Sequence, residues 1–275
     1  MSSNINGLTE QEFLKQYNAE DYPKPSVAVD IVIFTITDSD EDNYRKLSEK
    51  ELRVLLIRRG GHPFKGQWAL PGGFVRPGET VGEASERELA EETGVTNGYL
   101  EQLYTFSKPG RDPRTWVISC AHMALADINK IDPKAGSDAE EAKWFSVYVS
   151  DIPGIISMSL QNEETILTAV LSTESNETEP DITANNGLAF DHAKIISAAI
   201  QRMRGKLEYT DLAFCLMPEK FTLTELQQVY ETILGRSLYK AAFRRKIKDL
   251  VEETDQYTID KGHRPAKLFM KRKTG

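Results

Sequence analysis

The sequence predicts an α+β protein in two parts, a larger strand-rich part organised around one acidic helix and a C-terminal winged helix-turn-helix domain. Three observations carry this. Residues 71–95, PGGFVRPGETVGEASERELAEETGV, join a glycine turn to a helix whose carboxylates crowd onto one side. Apolar runs of strand length, bounded by turn residues, flank that stretch on both sides. The end of the chain has the order capped helix, second helix, hairpin. A chain of 275 residues has room for two domains that each bury a core.

Residues 1–24 form an N-terminal extension, with a short helix over 8–18 that Tyr22-Pro23-Lys24-Pro25 ends. The first domain is expected over 25–155. Residues 27–36 carry Val27, Val29, Ile31, Ile33 and Phe34, the run of a strand buried on both faces. A charged hairpin or loop over 38–51 leads to a second strand over 52–57. Residues 66–70 then run straight into the glycine turn, so the acidic helix is entered from a strand end, a usual crevice for phosphate chemistry. Strands are expected over 99–106 and 115–125, and a short one after residues 138–145. Residues 156–204 read as an insertion and a linker helix. Residues 172–187 are poor in apolar side chains and are expected to be flexible. The helix over 188–204 has the stripe Ile195, Ala198, Ala199 and Met203. His192 has only Asp191 as an acidic neighbour, which favours capping or packing.

Thr80 and Glu83 form a capping box, and Gly94 suits a left-handed C-cap, so the acidic helix starts near Val81 and stops at Gly94. Glu88, Glu91 and Glu92 then share an arc of roughly 100° with Val81 and Ala84. Three carboxylates at i, i+3 and i+4 repel one another. Arg87 neutralises part of that charge, and Gly72 and Gly73 let a backbone carbonyl approach. This oxygen density fits Mg²⁺ or Mn²⁺; the bland alternative is a solvated acidic face.

Gly73, Glu79 and the run Arg87-Glu88-Leu89-Ala90-Glu91-Glu92-Thr93-Gly94-Val95 match the Nudix box, G-x5-E-x7-R-E-U-x-E-E-x-G-U, at every fixed position. The chain therefore resembles the Nudix hydrolases. The resemblance implies an α/β/α sandwich that cleaves a nucleoside diphosphate linked to another group. It also implies that Glu88, Glu91 and Glu92 bind the metal with Gly73, while Arg87 and Glu79 brace the loop and helix. Loop 107–114 places Arg111 and Arg114 beside Tyr104 and Phe106, which could hold a phosphate and stack a base or form a plain polar hairpin. The segment TFSKPGRDPR resembles the ADP-ribose branch of the family, which implies substrate binding by Arg111, Arg114 and Phe106. The family often takes a further metal ligand or base near Glu140 and Glu141; a solvated pair is the alternative.

In the C-terminal domain, over 205–275, Thr222 and Glu225 form a second capping box for a helix ending near Gly235. Ser237 is expected to cap the next helix, with Phe243, Ile247 and Leu250 inward and Lys240, Arg244, Arg245 and Lys248 outward. A strand over 257–259, a basic turn with Arg264 and a strand over 268–270 complete a wing. Net charge is −8, but residues 201–275 hold 16 basic and 10 acidic side chains, so this end is +6 against −14 for the rest. That asymmetry predicts an anionic partner for the end alone. The segments FTLTELQQVYETILG and GHRPAKLF resemble the C-terminal module of Nudix-related transcriptional regulators, which implies double-stranded DNA as partner, a homodimer and contacts from Lys240, Arg244, Arg245, Lys248 and Arg264.

No run approaches a membrane span of roughly 18 apolar residues, and with no basic-then-apolar N-terminal signal, a cytoplasmic protein is expected. Cys120 and Cys215 lack ligand spacing and are expected to be buried thiols. The sequence thus predicts a metal-dependent pyrophosphohydrolase, acting on ADP-ribose or a related sugar nucleotide and fused to a DNA-binding module, since every charged box position is intact; the alternative is an ADP-ribose-sensing regulator without significant catalysis. A basic module for RNA or protein is the third reading.

Overall fold

The computed structural model describes residues 8–39, 49–96, 98–131, 139–174, 179–258 and 265–272. After a short helix α1 (Glu10–Gln16), the chain forms strands β1 (Ser26–Asp38), β2 (Lys50–Arg59), β3 (Trp68–Ala69) and β4 (Gly72–Phe74), then helix α2 (Val81–Thr93). Strands β5 (Tyr99–Phe106), β6 (Val117–Leu125), β7 (Ala139–Ile152), β8 (Ile155–Gln161), β9 (Ile166–Ser172) and β10 (Asp181–Asn186) follow. Helix α3 (His192–Lys206) leads to α4 (Leu223–Leu234), α5 (Lys240–Ile247) and the hairpin β11 (Val251–Tyr257) and β12 (Lys267–Lys271).

The main sheet runs β10-β9-β8-β7-β2-β1-β6-β5, with β3 on β2 and β4 on β1. Strand β1 is parallel to β6 and antiparallel to β2 and β4. Its apolar run serves two layers. Ile31 and Ile33 pack with Leu55 and with Leu89 of α2, whereas Val32 and Phe34 join the core that includes Ile195 and Ala199 of α3. The two helices therefore sandwich the sheet, and alternation along one strand assigns each side chain to its layer. The C-terminal part joins the core that includes Ile195 and Ala199 through Phe221, Phe243 and Ile247 and, from the wing, Val251.

Both predicted capping boxes form. Thr80 Oγ1 accepts from Glu83 N at 3.2 Å while Thr80 N donates to a Glu83 carboxylate oxygen at 2.7 Å. Thr222 and Glu225 repeat the pattern on α4. Gly94 and Gly235 end their helices at φ 71° and 67°, where a Cβ would be strained.

The insertion expected from residue 156 onward forms strands, and of the stretch expected to be flexible, 172–187, Asp181–Asn186 is strand β10 while residues 175–178 lie outside the described residues. Ile156, Met158 and Leu160 of β8 and Leu167, Ala169 and Leu171 of β9 are buried, with polar or exposed residues between them. This period-two pattern extends the sheet, and β10 closes its edge. Ser237 does not cap α5: Tyr239 holds that position without a side-chain bond, and α5 ends at Ile247, before Leu250. The wing strand begins at Val251, so the strand expected over 257–259 is displaced, and Ile259 lies outside the described residues. Both cysteines are free and half-buried rather than buried. Among the described residues no helix is long and apolar enough to cross a membrane.

Candidate functional site

A cleft of about 370 Å³ opens where the glycine turn, α2, the 107–116 loop and the start of α3 meet. A larger groove of about 700 Å³, between the β7–β9 sheet face and α4, holds none of the acidic-helix residues. Strand pairing builds the first wall of the cleft. Gly73 and Gly72 register against Val29 and Asp30 of β1. A Cβ on Gly73 would stand 2.1 Å from Glu88 Oε1, so only glycine leaves room for that carboxylate.

Arg87 organises the acidic face. Its Nε donates to Glu79 Oε1 at 2.7 Å, Nη2 to Glu79 Oε2 at 3.1 Å and to the Phe74 carbonyl at 3.3 Å, and Nη1 to Glu88 Oε1 at 2.5 Å. Nη1 lies 3.7 Å from Glu91 Oε2. Hydrogen bonds from Arg87, then from the Arg76 backbone N–H, hold the Glu79 carboxyl down to about 2. Glu88 and Glu92 are buried, and Glu91 faces the cleft and Arg76, with 3.8 Å between their charged groups.

The second wall is a charge network beneath the N-terminus of α3. Arg111 makes a bidentate pair with Asp191, Nε to Oδ2 at 2.9 Å and Nη2 to Oδ1 at 2.7 Å, and Nη2 stands 3.4 Å from Asp30 Oδ2. Ser119 Oγ donates to Asp30 Oδ2 at 2.5 Å. Leu70 N donates to His192 Nδ1 at 2.8 Å, which leaves Nε2 to carry the proton and point at Asp30 Oδ1, 3.5 Å away. Burial alone would raise the Asp30 pKa; interaction with His192, the Arg111 charge and the Ser119 bond outweigh it and hold the carboxyl well below the usual range. At the mouth, Arg114 pairs with Asp112 at 2.7 Å and lies over the rings of Phe74 and Phe190, and Arg59 lies over Phe190 from 5.0 Å. Phe190 has φ 53°, a left-handed backbone that a bulky residue adopts at a cost of about 1–3 kcal/mol. Backbone bonds Trp68 N to Gly187 O and Ala189 N to Trp68 O hold the segment in place.

In the C-terminal part, Lys240, Arg244, Arg245 and Lys248 are exposed on or just after α5, opposite buried Phe243 and Ile247. Arg244 and Lys248 line a groove with Lys267, Arg272 and the start of α4 at Thr222 to Thr224.

The sequence profile of the NUDIX domain matches residues 27–150, and that of the NrtR DNA-binding winged helix domain matches residues 213–270. Over 273 residues, 98% of this chain and 91% of the other, the protein is 36% identical to the ADPR responsive transcriptional repressor NtrR of Acinetobacter baylyi. The chain belongs to the NrtR-type Nudix family. The Nudix part of this NrtR-type chain is 43% identical over 134 residues to the ADP-ribose pyrophosphatase of Methanocaldococcus jannaschii, covering 49% of this chain and 68% of that protein. The crystal structure of Shewanella oneidensis NrtR complexed with a 27mer DNA superposes with a TM-score of 0.62 at 28% identity, over 90% of this chain and 93% of that one.

In this NrtR-type fold the six box positions Gly73, Glu79, Arg87, Glu88, Glu91 and Glu92 come together, and Arg111 and Arg114 reach the same cleft. Phe106 does not. It is buried on the far side of β5 and lines a separate pocket with Leu103 and Lys194, because strand alternation turns it away from the loop arginines. Glu141 is drawn to Lys143 at 2.7 Å, and neither it nor Glu140 lines the cleft. Arg264 lies outside the described residues. The sequence does not single out Asp30, Asp112 or Phe190, and it reads His192 and Asp191 without their partners Asp30 and Arg111. One signal was available: Asp30 interrupts the apolar run VAVDIVIF, and a carboxylate inside a buried strand demands a partner.

The residues present fit a divalent ion. The donors are hard carboxylate oxygens within one helical turn, and the space above Gly73 is kept free of a Cβ. Among the described residues no three His, Cys, Asp or Glu side chains converge on one centre; Arg87 spreads the box carboxylates along its guanidinium instead.

Proposed function

We propose that this protein binds ADP-ribose in the Nudix cleft and double-stranded DNA through α5 and the wing, with ligand occupancy controlling its hold on DNA. The observation that carries this reading is the presence on one chain of an arginine-lined cleft and a basic winged-helix groove. The same two parts align along nearly the whole Acinetobacter repressor, which its name describes as ADPR responsive. Arg111 and Arg114 would take the diphosphate and the Phe74 and Phe190 rings would bound the ribose or base, while Lys240, Arg244, Arg245 and Lys248 would contact the DNA backbone and major groove. A homodimer would present two such helices to successive grooves.

Hydrolysis is the second reading, favoured by a box with every charged position intact and by the likeness of residues in this half to an ADP-ribose pyrophosphatase. Glu88, Glu91 and Glu92, with the Gly73 carbonyl, would hold Mg²⁺ or Mn²⁺. An ion held there would supply charge neutralisation for the diphosphate and a lowered pKa for a water. Arg87 and Glu79 keep Glu88 aimed over Gly73, and Asp30 with Ser119 fixes His192 under the cleft floor.

One preparation tests both readings. Purified protein is given Mg²⁺ and ADP-ribose while product release and binding to the operator-length DNA of its own promoter region are followed. ADP-ribose that releases DNA without turnover supports the sensor alone; turnover that EDTA and Glu92→Gln both abolish adds the enzyme. DNA binding indifferent to ADP-ribose removes the regulatory reading.

A further inference from the structure

We propose that Asp191 is an internal stand-in for the ligand's phosphate at Arg111, and that its displacement is the event by which an occupied cleft moves α3. The inference rests on the reading above, that the cleft takes a phosphate-bearing ligand.

The Arg111 fork is closed by Asp191 in the two-bond geometry by which arginine also holds phosphate. Both side chains are nearly buried, at 6% and 11% exposure. Arg111 is thus far more buried than Arg76 and Arg114 of the same cleft, which are 63% and 43% exposed, and an anion taking its Nε and Nη2 edge has to replace the carboxylate already there. Asp30 and His192 complete the surroundings of the pair. An uncharged ligand has nothing to offer Arg111 in exchange for Asp191; a diphosphate has. The pair therefore selects for anionic ligands.

Asp191 has a second place to go. It occupies the N-cap position of α3, where an aspartate normally accepts from an N–H of the first turn, yet it makes no side-chain capping bond. Thr80 and Thr222 cap α2 and α4 from extended backbones, φ −80°, ψ 161° and φ −86°, ψ 153°, whereas Asp191 sits at φ −96°, ψ 21°. The residue before it, Phe190, is in the left-handed region. The two residues preceding α3 are therefore held away from a capping conformation, and the Arg111 pair is what engages the side chain there. Once a phosphate takes Arg111, Asp191 can rotate towards the extended backbone and cap its own helix. That rotation changes the angle at which α3 leaves the cleft.

The far end of α3 is bonded to the DNA-binding part. Arg204 Nε donates to the Ile233 carbonyl of α4 at 2.9 Å, and Lys246 Nζ of α5 donates to the Leu207 carbonyl just beyond α3 at 2.9 Å. One helix, roughly 22 Å long at 1.5 Å per residue, thus has the ligand's competitor at one end and the winged helix at the other.

The test measures ADP-ribose affinity by calorimetry and DNA affinity by anisotropy, with and without ADP-ribose, for the full chain, Asp191→Asn and Asp191→Ser. Serine is a good helix cap without the charge, so it preserves the helix start. Both variants are expected to bind ADP-ribose about tenfold tighter, the scale of one lost charge-assisted competitor. Without ligand, their DNA affinity should already lie near that of the ligand-saturated wild type. In the wild type, hydrogen exchange at the first-turn amides of α3 should slow when ADP-ribose binds, a readout that needs no variant. Variants with wild-type ligand affinity and wild-type response of DNA binding, or unchanged α3 exchange, overturn the proposal while leaving the ligand reading intact. A wild-type chain that binds no ADP-ribose overturns that reading and the proposal with it.

Discussion

His122 shows how a single side chain can tie the acidic helix to the sheet. It is buried on β6, with Nδ1 at 2.9 Å from the Cys120 carbonyl and 3.0 Å from Ser85 Oγ, which itself donates to the Val81 carbonyl of α2. Burial lowers its pKa below 6.5, against the opposing pull of the Cys120 bond. The unfolded chain therefore binds the extra proton first as pH falls, so this contribution to stability is complete above pH 6.5 and declines below it. Thermal melts between about pH 7.5 and 5.5 should show the wild type losing more stability than His122→Gln; equal slopes would contradict a buried neutral imidazole. Gly73 is tested more bluntly. Gly73→Ala sets a Cβ 2.1 Å from Glu88 Oε1, so Glu88 must leave its place. Mg²⁺ affinity and any turnover should fall at least about tenfold, and the fold should lose on the order of 1–3 kcal/mol. Unaltered Mg²⁺ binding would separate Glu88 from the metal site.

At the scale of elements, the acidic helix is held at both ends by local chemistry. Thr80→Ala removes the acceptor for Glu83 N and should cost about 1 kcal/mol. Gly94→Ala puts a side chain at φ 71° and should cost a similar amount. Each loss should lower the melting temperature by about 2–4 °C for a unit of this size. Ser237→Ala is the control: with Tyr239 at the N-cap, α5 should melt as before, and a drop like that of Thr80→Ala would restore Ser237 as its cap. Strand β1 explains why the acidic helix lies where it does. Its odd positions pack towards α2, its even positions towards α3, and Asp30 falls on the even register beside His192.

For the whole molecule, the opposed charges of the two ends keep the DNA-binding surface local. Neutralised phosphates release counterions, so DNA affinity should fall steeply with salt, by a log–log slope near −0.9 per contact. Arg244→Ala should shallow that slope by about 1 without changing ADP-ribose affinity. An unchanged slope would move the contact surface off the groove that Arg244 and Lys248 line. ADP-ribose at about one hundred times its dissociation constant should stabilise the chain by about 2.7 kcal/mol if it binds the folded state alone.

The sequence by itself determined whatever depends on neighbours along the chain. The helix ends at Thr80, Gly94, Thr222 and Gly235 are local hydrogen bonds and local backbone preferences, so spacing sufficed. The box carboxylates were legible because helical periodicity puts Glu88 and Glu92 on one face. The strands β8 and β9 carried a readable alternation that the polar composition around them obscured. Tertiary structure alone decided which distant charges meet. Asp30 and Asp191 are separated by most of the Nudix fold in sequence, and only the pairing of β1 with β4 and β6, with α3 laid across the other face, brings both to Arg111. It likewise turned Phe106 away from the loop arginines, since a side chain's face depends on the register of the whole sheet and that register is fixed by packing on both its sides.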